Sequence, residues 1–260
     1  MTSVLTLNIW NYEGPWEQRL PLIRACIEAL NPDLIALQEV LLGDAIDQPR
    51  LIFDDTPYHY DYAPAQDFWI DPTLSFGNLV ASRWPLAETQ AVELPQREGV
   101  ASRIALTTQV QAPESPICFT STHLTYPPYD GYWREQQVQA IAMLVRERRA
   151  SGGHPAIVCG DFNAIPESAE IRHMAGRQSI NESSTFFIDA FEAAGNGDGA
   201  TMVAANPFAA NTHVDMRLDY IFVGLPSEGR GRIKHCRVVA NDDVEGVYPS
   251  DHFGVYAELT

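Results

Sequence analysis

A strand-helix-strand pattern occurs twice in this sequence and leaves few possible folds. The first unit runs from VLTLNIW at 4–10 to DLIALQEV at 33–40, and the second runs from CFTSTHL at 118–124 to AIVCGDFN at 156–163. A β-α-β unit makes its two strands parallel, so both strands end at the same edge of a sheet. Two such units packed face to face predict an α/β domain with a cleft above the strand ends.

Every strand of these units ends in a polar or charged side chain. The residues are Asn8, Glu39, His123, and Asp161 with Asn163. Burial of an unpaired polar group is costly, so such groups are either bonded or used. A turn, a cap or a bonded core histidine explains each residue taken alone. Their repetition favours a shared functional site.

The remaining pattern predicts one domain over residues 1–260. Helices are expected at 17–30, at about 133–149 with Ser151-Gly152-Gly153 as its end, and near 167–175. Further strands are expected at 77–84, 101–110, 217–223, 232–240 and 253–260. Residues 41–76 show no regular pattern. No linker or change in composition divides the chain, and this length is compatible with a single large α/β domain.

The charge balance limits the possible partners. The chain has 34 Asp and Glu against 17 Lys and Arg, a net charge of −17, and Lys234 is its single lysine. Non-specific binding to a nucleic-acid backbone needs a broad basic face. The composition therefore argues against a general nucleic-acid coat protein, although a nuclease stays open. No stretch approaches the roughly 20 apolar residues of a membrane span, and we expect a monomer.

Cysteine usage and the N-terminus indicate the compartment. The four cysteines form no CxxC pair and are interpreted as free thiols, whereas small secreted domains are often rich in disulfides. A basic segment followed by an apolar run, which is typical of a secretion signal, is not seen at the N-terminus. We expect a cytoplasmic protein, with secretion as the alternative if a leader was removed before Met1.

The polar residues suit phosphoester hydrolysis. Glu39 and Asp251 offer hard oxygen ligands of the kind that Mg²⁺ or Mn²⁺ prefers. Such an ion neutralises the charge that develops on a phosphoryl group. Zinc is less favoured, because no Cys/His cluster has the spacing of zinc ligands.

Other residues can supply the water and proton chemistry. Asn163 can donate an amide hydrogen to a phosphoryl oxygen, and Asp161 can orient or deprotonate water. Asp219 beside His252 would hold the imidazole in one tautomer and raise its pKa. These residues are therefore candidates for direct roles in hydrolysis.

Six motifs stand in order along the chain: LNIW, LQEV, THL, GDFN, RLDYIF and SDHFGV. This series resembles the endonuclease/exonuclease/phosphatase superfamily over nearly the whole chain. GDFN and SDH are specific when they occur together, whereas LQEV or THL alone is weak. The resemblance implies a four-layer α/β sandwich, in which two packed mixed β-sheets are flanked by helices.

The resemblance also implies a metal site. Glu39 resembles the principal metal ligand of the family, Asn8 lies beside the metal, and Asp251 resembles a further metal-site carboxylate. The implied cofactor is Mg²⁺ or Mn²⁺.

The remaining roles follow the same resemblance. Asp161 and Asn163 resemble the pair that orients water and binds phosphate. Asp219 resembles the aspartate that orients the terminal histidine, here His252, and His123 resembles a histidine that several branches carry. All motif positions are intact, as expected for a catalytic member.

Three functions are compared on these grounds. The preferred one is a metal-dependent phosphoesterase that acts on a small-molecule or lipid-like phosphoester. The first alternative is a DNase I-like endonuclease or exonuclease acting on DNA or RNA, and the net charge argues against it. The second alternative is a non-catalytic binding scaffold, and the intact motifs argue against it.

Two further groups of side chains have less specific expected roles. Aromatic residues follow Asn8 and His123 and either contact substrate or pack the loops: Trp10, Tyr12, Tyr126, Tyr129, Tyr132 and Trp133. Arg103 is interpreted as a surface arginine of a strand in preference to a phosphate ligand.

Overall fold

The structure is a computed structural model that describes residues 1–149, 153–209 and 213–260. Its first sheet consists of β1 (Thr2–Asn8), β2 (Leu34–Leu42), β3 (His59–Asp67), β4 (Ser75–Ser82), β11 (Ile233–Val239) and β12 (Gly254–Leu259). The strands are arranged β11-β12-β1-β2-β4-β3. β1 is parallel to β2 and antiparallel to β12, so this sheet is mixed.

The second sheet is also mixed and also has six strands. They are β5 (Leu86–Glu93), β6 (Ile104–Val110), β7 (Ile117–His123), β8 (Ile157–Asp161), β9 (Ile188–Asp189) and β10 (Asp219–Val223). Their order is β5-β6-β7-β8-β10-β9. β7 and β8 are parallel, so both predicted strand-helix-strand units are confirmed.

Helices cover the outer faces of the two sheets. They are α1 (Trp16–Leu30), α2 (Gln48–Phe53), α3 (Gly131–Arg148) and α4 (Ala169–Met174). A fifth helix, α5 (Ala190–Ala194), instead contributes Ala190 and Phe191 to an apolar cluster that joins residues of both sheets. The inward residues of α1 include Ile23 and Ile27, which belong to the same apolar cluster as Leu5 and Leu37 of the first sheet. Val138, Ile141, Leu144 and Val145 of α3 join Val158 and Phe222 of the second sheet in another cluster.

The largest apolar cluster lies between the sheets. It contains Val4 and Val255 of the first sheet together with Ile104, Phe119 and Ile221 of the second. This core, with helices outside both sheets, gives the predicted four-layer α/β sandwich. Among the described residues, no helix is both long and apolar enough to cross a membrane.

The helix ends are partly as expected. At Asn31 the backbone has a left-handed φ of 51°, and its N–H donates to the Ile27 carbonyl, which ends α1 before Pro32. Asparagine adopts this conformation more readily than most residues. Ser151 and Gly152, which were expected to end the second helix, lie outside the described residues.

Three strands were not predicted, namely β3, β5 and the two-residue β9, and all three lie at sheet edges. β3 and β5 carry mostly exposed or half-buried residues, so they lack the apolar alternation that identifies a strand. β3 also contains Pro64, which edge strands tolerate because proline has no N–H to donate. Residues 41–76 therefore contain α2, β3 and the start of β4 and are more ordered than their sequence indicated.

Candidate active site

The predicted polar residues meet at one end of the two packed sheets. Asn8, His123 and Asp161 are the last residues of β1, β7 and β8. β10 is antiparallel to β8, which places its first residue, Asp219, opposite Asp161. Residues 251–252 lie just before β12. The expectation that functional side chains lie at strand ends, called the strand-end rule below, thus located residues from both sheets.

Glu39 reaches the cleft from within a strand and not from its end. β2 continues to Leu42, but its pairing with β4 shifts register between Leu37 and Val40. Glu39 has a φ of 60° at this irregularity, a value that is uncommon for residues other than glycine. A β-bulge redirects a side chain, so the bulge replaces the predicted strand end as the reason for the position of Glu39.

His252 and Asp219 form a buried hydrogen-bonded pair. The Nδ1 atom of His252 lies 2.8 Å from Oδ2 of Asp219, and the Thr201 hydroxyl donates to the same oxygen at 2.6 Å. Burial alone lowers the pKa of His252, but the charges of Asp219 and Asp161 outweigh it and hold that pKa well above its usual value. His252 is therefore cationic, with Nδ1–H donating to Asp219.

Asp161 joins the two sheets. Its Oδ2 accepts a hydrogen bond from Asn8 Nδ2 at 3.1 Å, and its Oδ1 accepts from the Asn163 backbone N–H at 2.8 Å. Burial raises the pKa of Asp161 to about 6, although the charge of His252 opposes the rise. A carboxylate with a pKa of about 6 can accept a proton from water near neutral pH.

His123 has the opposite protonation state to His252. Burial, Arg103 and His252 together hold the pKa of His123 well below its usual value. Because arginine only donates, Arg103 Nη1 donates to Nδ1 of His123 across 3.4 Å. The Nε2 atom then carries the proton and lies 3.4 Å from Oδ2 of Asp161. The site therefore contains one neutral and one charged histidine.

Glu39 and Asp251 concentrate negative charge in the cleft. Burial and, next to it, the charge of Asp251 raise the pKa of Glu39 to about 7 against the opposing hydrogen bond from Asn8. Burial also raises the pKa of Asp251. Two half-buried carboxylates that repel each other fit a divalent cation, which prefers charged oxygen ligands.

A second group of side chains is also close enough to hold a metal ion. Single ligand atoms of Asp161, Asp219 and His252 lie within 4.8 Å of one another. However, His252 bonds to Asp219, and both oxygens of Asp161 already accept hydrogen bonds. The raised pKa of His252 keeps its nitrogens protonated and so unable to ligate a metal, and Asp219 does not line the cavity, whereas Glu39 and Asp251 both do.

Arg103 belongs to the site, so its interpretation as a surface arginine is wrong. The residue is 4% exposed and lines the same cavity. Its Nε atom has no hydrogen-bond partner among the described residues. β6 is antiparallel to β7, so the start of β6 lies at the same edge as the end of β7. The strand-end rule would have found Arg103 if it had included the starts of antiparallel strands.

Arg19 holds two segments of the site together. The side chain is completely buried and donates to the carbonyls of Ile9, Trp10, Asn11, Glu13 and Pro249. The guanidinium lies 4.8 Å from the Trp10 ring and 5.3 Å from the Trp16 ring. Through these bonds it fixes the loop after β1 relative to the segment that leads to Asp251.

Asn11 was not identified from the sequence. Its Nδ2 donates to Oε2 of Glu39 at 3.0 Å, while Asn8 Nδ2 donates to Oε1 at 3.2 Å. Both carboxylate oxygens of Glu39 are thus oriented by amides. No regular pattern marks Asn11, which lies in a loop. Arg19, in contrast, shares the helical face of Ile23 and Ile27, and this spacing was a usable signal.

A cavity of about 960 Å³ opens above these residues. Glu39, His123, Asp161, Asn163, Asp251 and His252 line it. Asn8 and Asp219 are buried behind it and act by holding their neighbours. Asn163 directs one amide hydrogen to the Leu124 carbonyl, which leaves its other amide hydrogen for a ligand.

The aromatic residues divide between the cavity and the packed loops. Trp10, Tyr126 and Tyr129 line the cavity. Tyr12 instead packs edge-on against Phe68. The rings of Tyr132 and Trp133 contact each other and do not line this cavity. The packing role is therefore observed for three of these rings, while contact with substrate stays a prediction for the three that line the cavity.

Comparisons with known proteins extend this description. The family model described as "Endonuclease/Exonuclease/phosphatase family" matches residues 5–252. Nocturnin from Homo sapiens is 28% identical over 263 residues, which cover 94% of this chain and 58% of that protein. The 2',5'-phosphodiesterase 12 of Rattus norvegicus is 28% identical over 192 residues, with 67% of this chain and 30% of that protein covered.

A solved structure has the same architecture over its whole length. The mannosyl-6-phosphatase of Bacteroides thetaiotaomicron superposes with a TM-score of 0.75 at 20% identity, and the match covers 100% of both chains. This similarity supports the fold. The chain spans less than two thirds of the length of the two curated relatives above.

Proposed function

Because this chain belongs to the endonuclease/exonuclease/phosphatase family, we propose that it is a divalent-metal-dependent phosphoric ester hydrolase. The observation that carries this proposal is that one cavity is lined both by a carboxylate pair, Glu39 and Asp251, and by an acid–base set, Asp161 and His252. The preferred substrate is a small-molecule or lipid-like phosphoester.

The metal-site residues of the proposal are Glu39 and Asp251, with Asn8 and Asn11 orienting Glu39. Bound Mg²⁺ or Mn²⁺ supplies positive charge that stabilises the phosphoryl group and the departing oxygen. The raised pKa values of both carboxyls support this assignment.

The other residues act directly on water and phosphate in the proposed reaction. Asp161 orients the attacking water and accepts its proton. His252, held as a cation by Asp219, donates a hydrogen bond to a phosphoryl oxygen, and Asn163 donates its free amide hydrogen. Arg103 adds a buried positive charge beside neutral His123. Fixed donors of this kind stabilise charge as it develops in the transition state.

The charges around the cavity support a small substrate over a polymer. Arg97 and Arg103 are the only Lys or Arg among the described lining residues, and Arg97 is already paired with Asp130 at 3.0 Å. Each phosphate of a bound nucleic acid needs its own cation for tight binding. A single phosphoryl group needs only the metal and Arg103. The proposal covers both monoesters and diesters.

The compartment and assembly remain part of the proposal. We place the protein in the cytoplasm as a monomer. Its four free cysteines support a reducing environment, in which thiols persist.

The proposal is tested with a panel of phosphoesters in Mg²⁺, Mn²⁺ or Ca²⁺. The panel contains plasmid DNA, single-stranded RNA, sphingomyelin vesicles, inositol phosphates and bis(p-nitrophenyl) phosphate. We expect small or lipid-like esters to be cleaved more efficiently than DNA or RNA, with a shallow dependence on salt. Efficient plasmid nicking at physiological salt, without turnover of the other esters, would establish the DNase I-like alternative instead.

Replacing Asp219 by Asn should shift the pH dependence of the rate. Asp219 is the largest influence that raises the pKa of His252, so the substitution lowers that pKa. If the reaction requires cationic His252, the rate falls as pH rises through this pKa, and the basic limb of the profile moves to lower pH. The measurement is kcat/KM from pH 5 to 10. Asp33→Asn, which removes a carboxylate bonded to Ser3, is the control. An unchanged basic limb would contradict the pairing.

Mg²⁺ should stabilise the fold more at pH 8 than at pH 5. The folded pKa of Glu39 is about 7 against an ordinary 4.5, and that of Asp161 is about 6 against 3.8. Because the folded protein keeps protons on these carboxyls that the unfolded chain has already released, the free energy of unfolding falls as pH rises from about 4 to 7. A bound cation offsets this loss of stability at pH values at which the carboxyl groups are ionised. Saturating Mg²⁺ at pH 8 should raise the melting temperature by roughly 5 °C.

The control for this measurement is K⁺ at matched ionic strength, which should give a much smaller shift. Glu39→Gln should reduce the Mg²⁺ shift at pH 8. Equal Mg²⁺ shifts at pH 5 and pH 8 would contradict binding to ionised carboxylates.

A further inference from the structure

A row of aromatic rings leads outward from the catalytic residues. The Phe76 ring lies 6.2 Å from the His123 ring, and the Trp69 ring lies 5.2 Å from Phe76. Phe76 is buried, whereas Trp69 is 57% exposed. Both line the cavity of the candidate active site. The row of Phe76 and Trp69 therefore extends the cavity wall from the reacting groups to the surface.

A second aromatic group comes from the loop between β7 and α3. Tyr126 and Tyr129 also line the cavity and are 60% and 80% exposed. Arg97, from the loop between β5 and β6, lies 5.8 Å from the centre of the Tyr129 ring. Its ion pair with Asp130 joins these two loops. The mouth of the cavity thus has ring faces and one guanidinium plane.

The size of the cavity exceeds the need of a phosphoryl group. Cavities that enclose whole small organic molecules measure about 300–1,000 Å³, and this one measures about 960 Å³. The buried end holds the charged groups, and the open end holds the exposed rings. The organic part of a substrate must therefore occupy the open end when its phosphoryl group lies at the buried end.

We propose that the open end of the cavity binds a planar aromatic or heteroaromatic ring of the substrate. The substrate class is then a small phosphoester that carries such a ring, as nucleotides and aryl-substituted phosphates do. This inference rests on the proposed phosphoesterase function and specifies its substrate. Ring pairs stack or meet edge to face, and a guanidinium lies favourably over a ring.

The chemistry of the open end favours a ring over an acyl chain. Its polar groups include the tyrosine hydroxyls, Arg97, Gln66 and Asp67. A long acyl chain would meet these groups without bonding to them, which is unfavourable. A planar heterocycle can place its faces on the rings and its edge atoms on the polar groups.

The test compares benzyl phosphate with cyclohexylmethyl phosphate, which differ in the planarity and π-face of the ring. Each is used as the monoester and as the methyl diester, with Mg²⁺. For the wild-type protein we expect a KM about 3- to 10-fold lower for the benzyl ester and a similar kcat. Trp69→Ala and Tyr129→Ala should each remove much of this difference. Tyr132→Ala is the matched control, because Tyr132 is 62% exposed in the same region but does not line the cavity.

Calorimetry with non-hydrolysable phosphonates separates ring binding from turnover. Benzylphosphonate should bind more tightly than cyclohexylmethylphosphonate to the wild-type protein, and this preference should be lost in Trp69→Ala. If the two phosphonates bind equally, the ring site is refuted even when esters are hydrolysed. If the preference is present but no ester is hydrolysed, the ring site stands and the proposed reaction fails. Stronger effects of Trp69→Ala and Tyr129→Ala on sphingomyelin vesicles than on benzyl esters would overturn the proposal in favour of lipid.

Discussion

We expect Asp161→Asn and His252→Ala each to lower kcat by about 10²- to 10⁴-fold, the usual scale for a lost acid–base group. Asn cannot take a proton from water, although it keeps the size of Asp161. His252→Ala removes the imidazolium, whose Nδ1 atom lies 2.8 Å from Oδ2 of Asp219. Initial rates on the best panel substrate, measured at saturating Mg²⁺, give the loss of activity.

Folding must be measured on the same samples. His173→Ala is the control for His252→Ala, because His173 is equally buried but lies outside the cavity. Circular dichroism reports the folded fraction of each variant. If Asp161→Asn and His252→Ala retain wild-type turnover per folded molecule, these residues are structural and the proposed mechanism is wrong.

Replacing Glu39 by Gln should abolish metal activation at ordinary Mg²⁺ concentrations. The substitution keeps the volume of the side chain but removes its charge. Loss of a residue that only supports a metal ligand typically costs about 10- to 100-fold in metal affinity, so loss of the ligand should cost at least this much. The measurement is the Mg²⁺ concentration that gives half-maximal rate, after removal of metal with EDTA.

Glu17→Gln provides the matched control, since Glu17 is exposed on α1. It should respond to Mg²⁺ as the wild-type protein does. Chelation should stop turnover of the wild-type protein, and added Mg²⁺ or Mn²⁺ should restore it. Undiminished turnover in excess EDTA would refute the metal-dependent proposal.

The sequence predicted site residues correctly where a polar side chain directly follows an apolar, buried run. Asn8, His123 and Asp161 each follow an apolar run, and parallel pairing brings such ends to one edge. The edge strands β3 and β5 were missed because exposed strands place few apolar residues inward. Glu39 shows a mixed result, since its membership of the site was predicted but the bulge that directs it was not.

Arg103, Asn11 and Arg19 were missed for different physical reasons. Arg103 directly precedes β6, which is antiparallel to β7, so it lies at the edge that holds the site. Its apolar run follows it in the sequence, whereas the other site residues come after theirs. Asn11 depends on a loop conformation that has no periodic pattern. The spacing of Arg19 from Ile23 and Ile27 indicated a buried position, but its hydrogen bond to the Pro249 carbonyl joins residues distant in the chain. Long-range contacts of this kind require the folded arrangement.

The hydrogen bonds of Arg19 have a consequence for cofactor exchange. Its donors are taken by backbone carbonyls, so it contributes charge near Glu39 and Asp251 without capturing either carboxylate. Burial lowers the pKa of Arg19 to about 10, and the charges of Asp251 and Glu39 oppose this shift, so it stays protonated at neutral pH. The two carboxylates thus have a permanent countercharge that does not block their oxygens. We therefore expect the metal ion to enter and leave a preformed site while the surrounding loops keep their conformation.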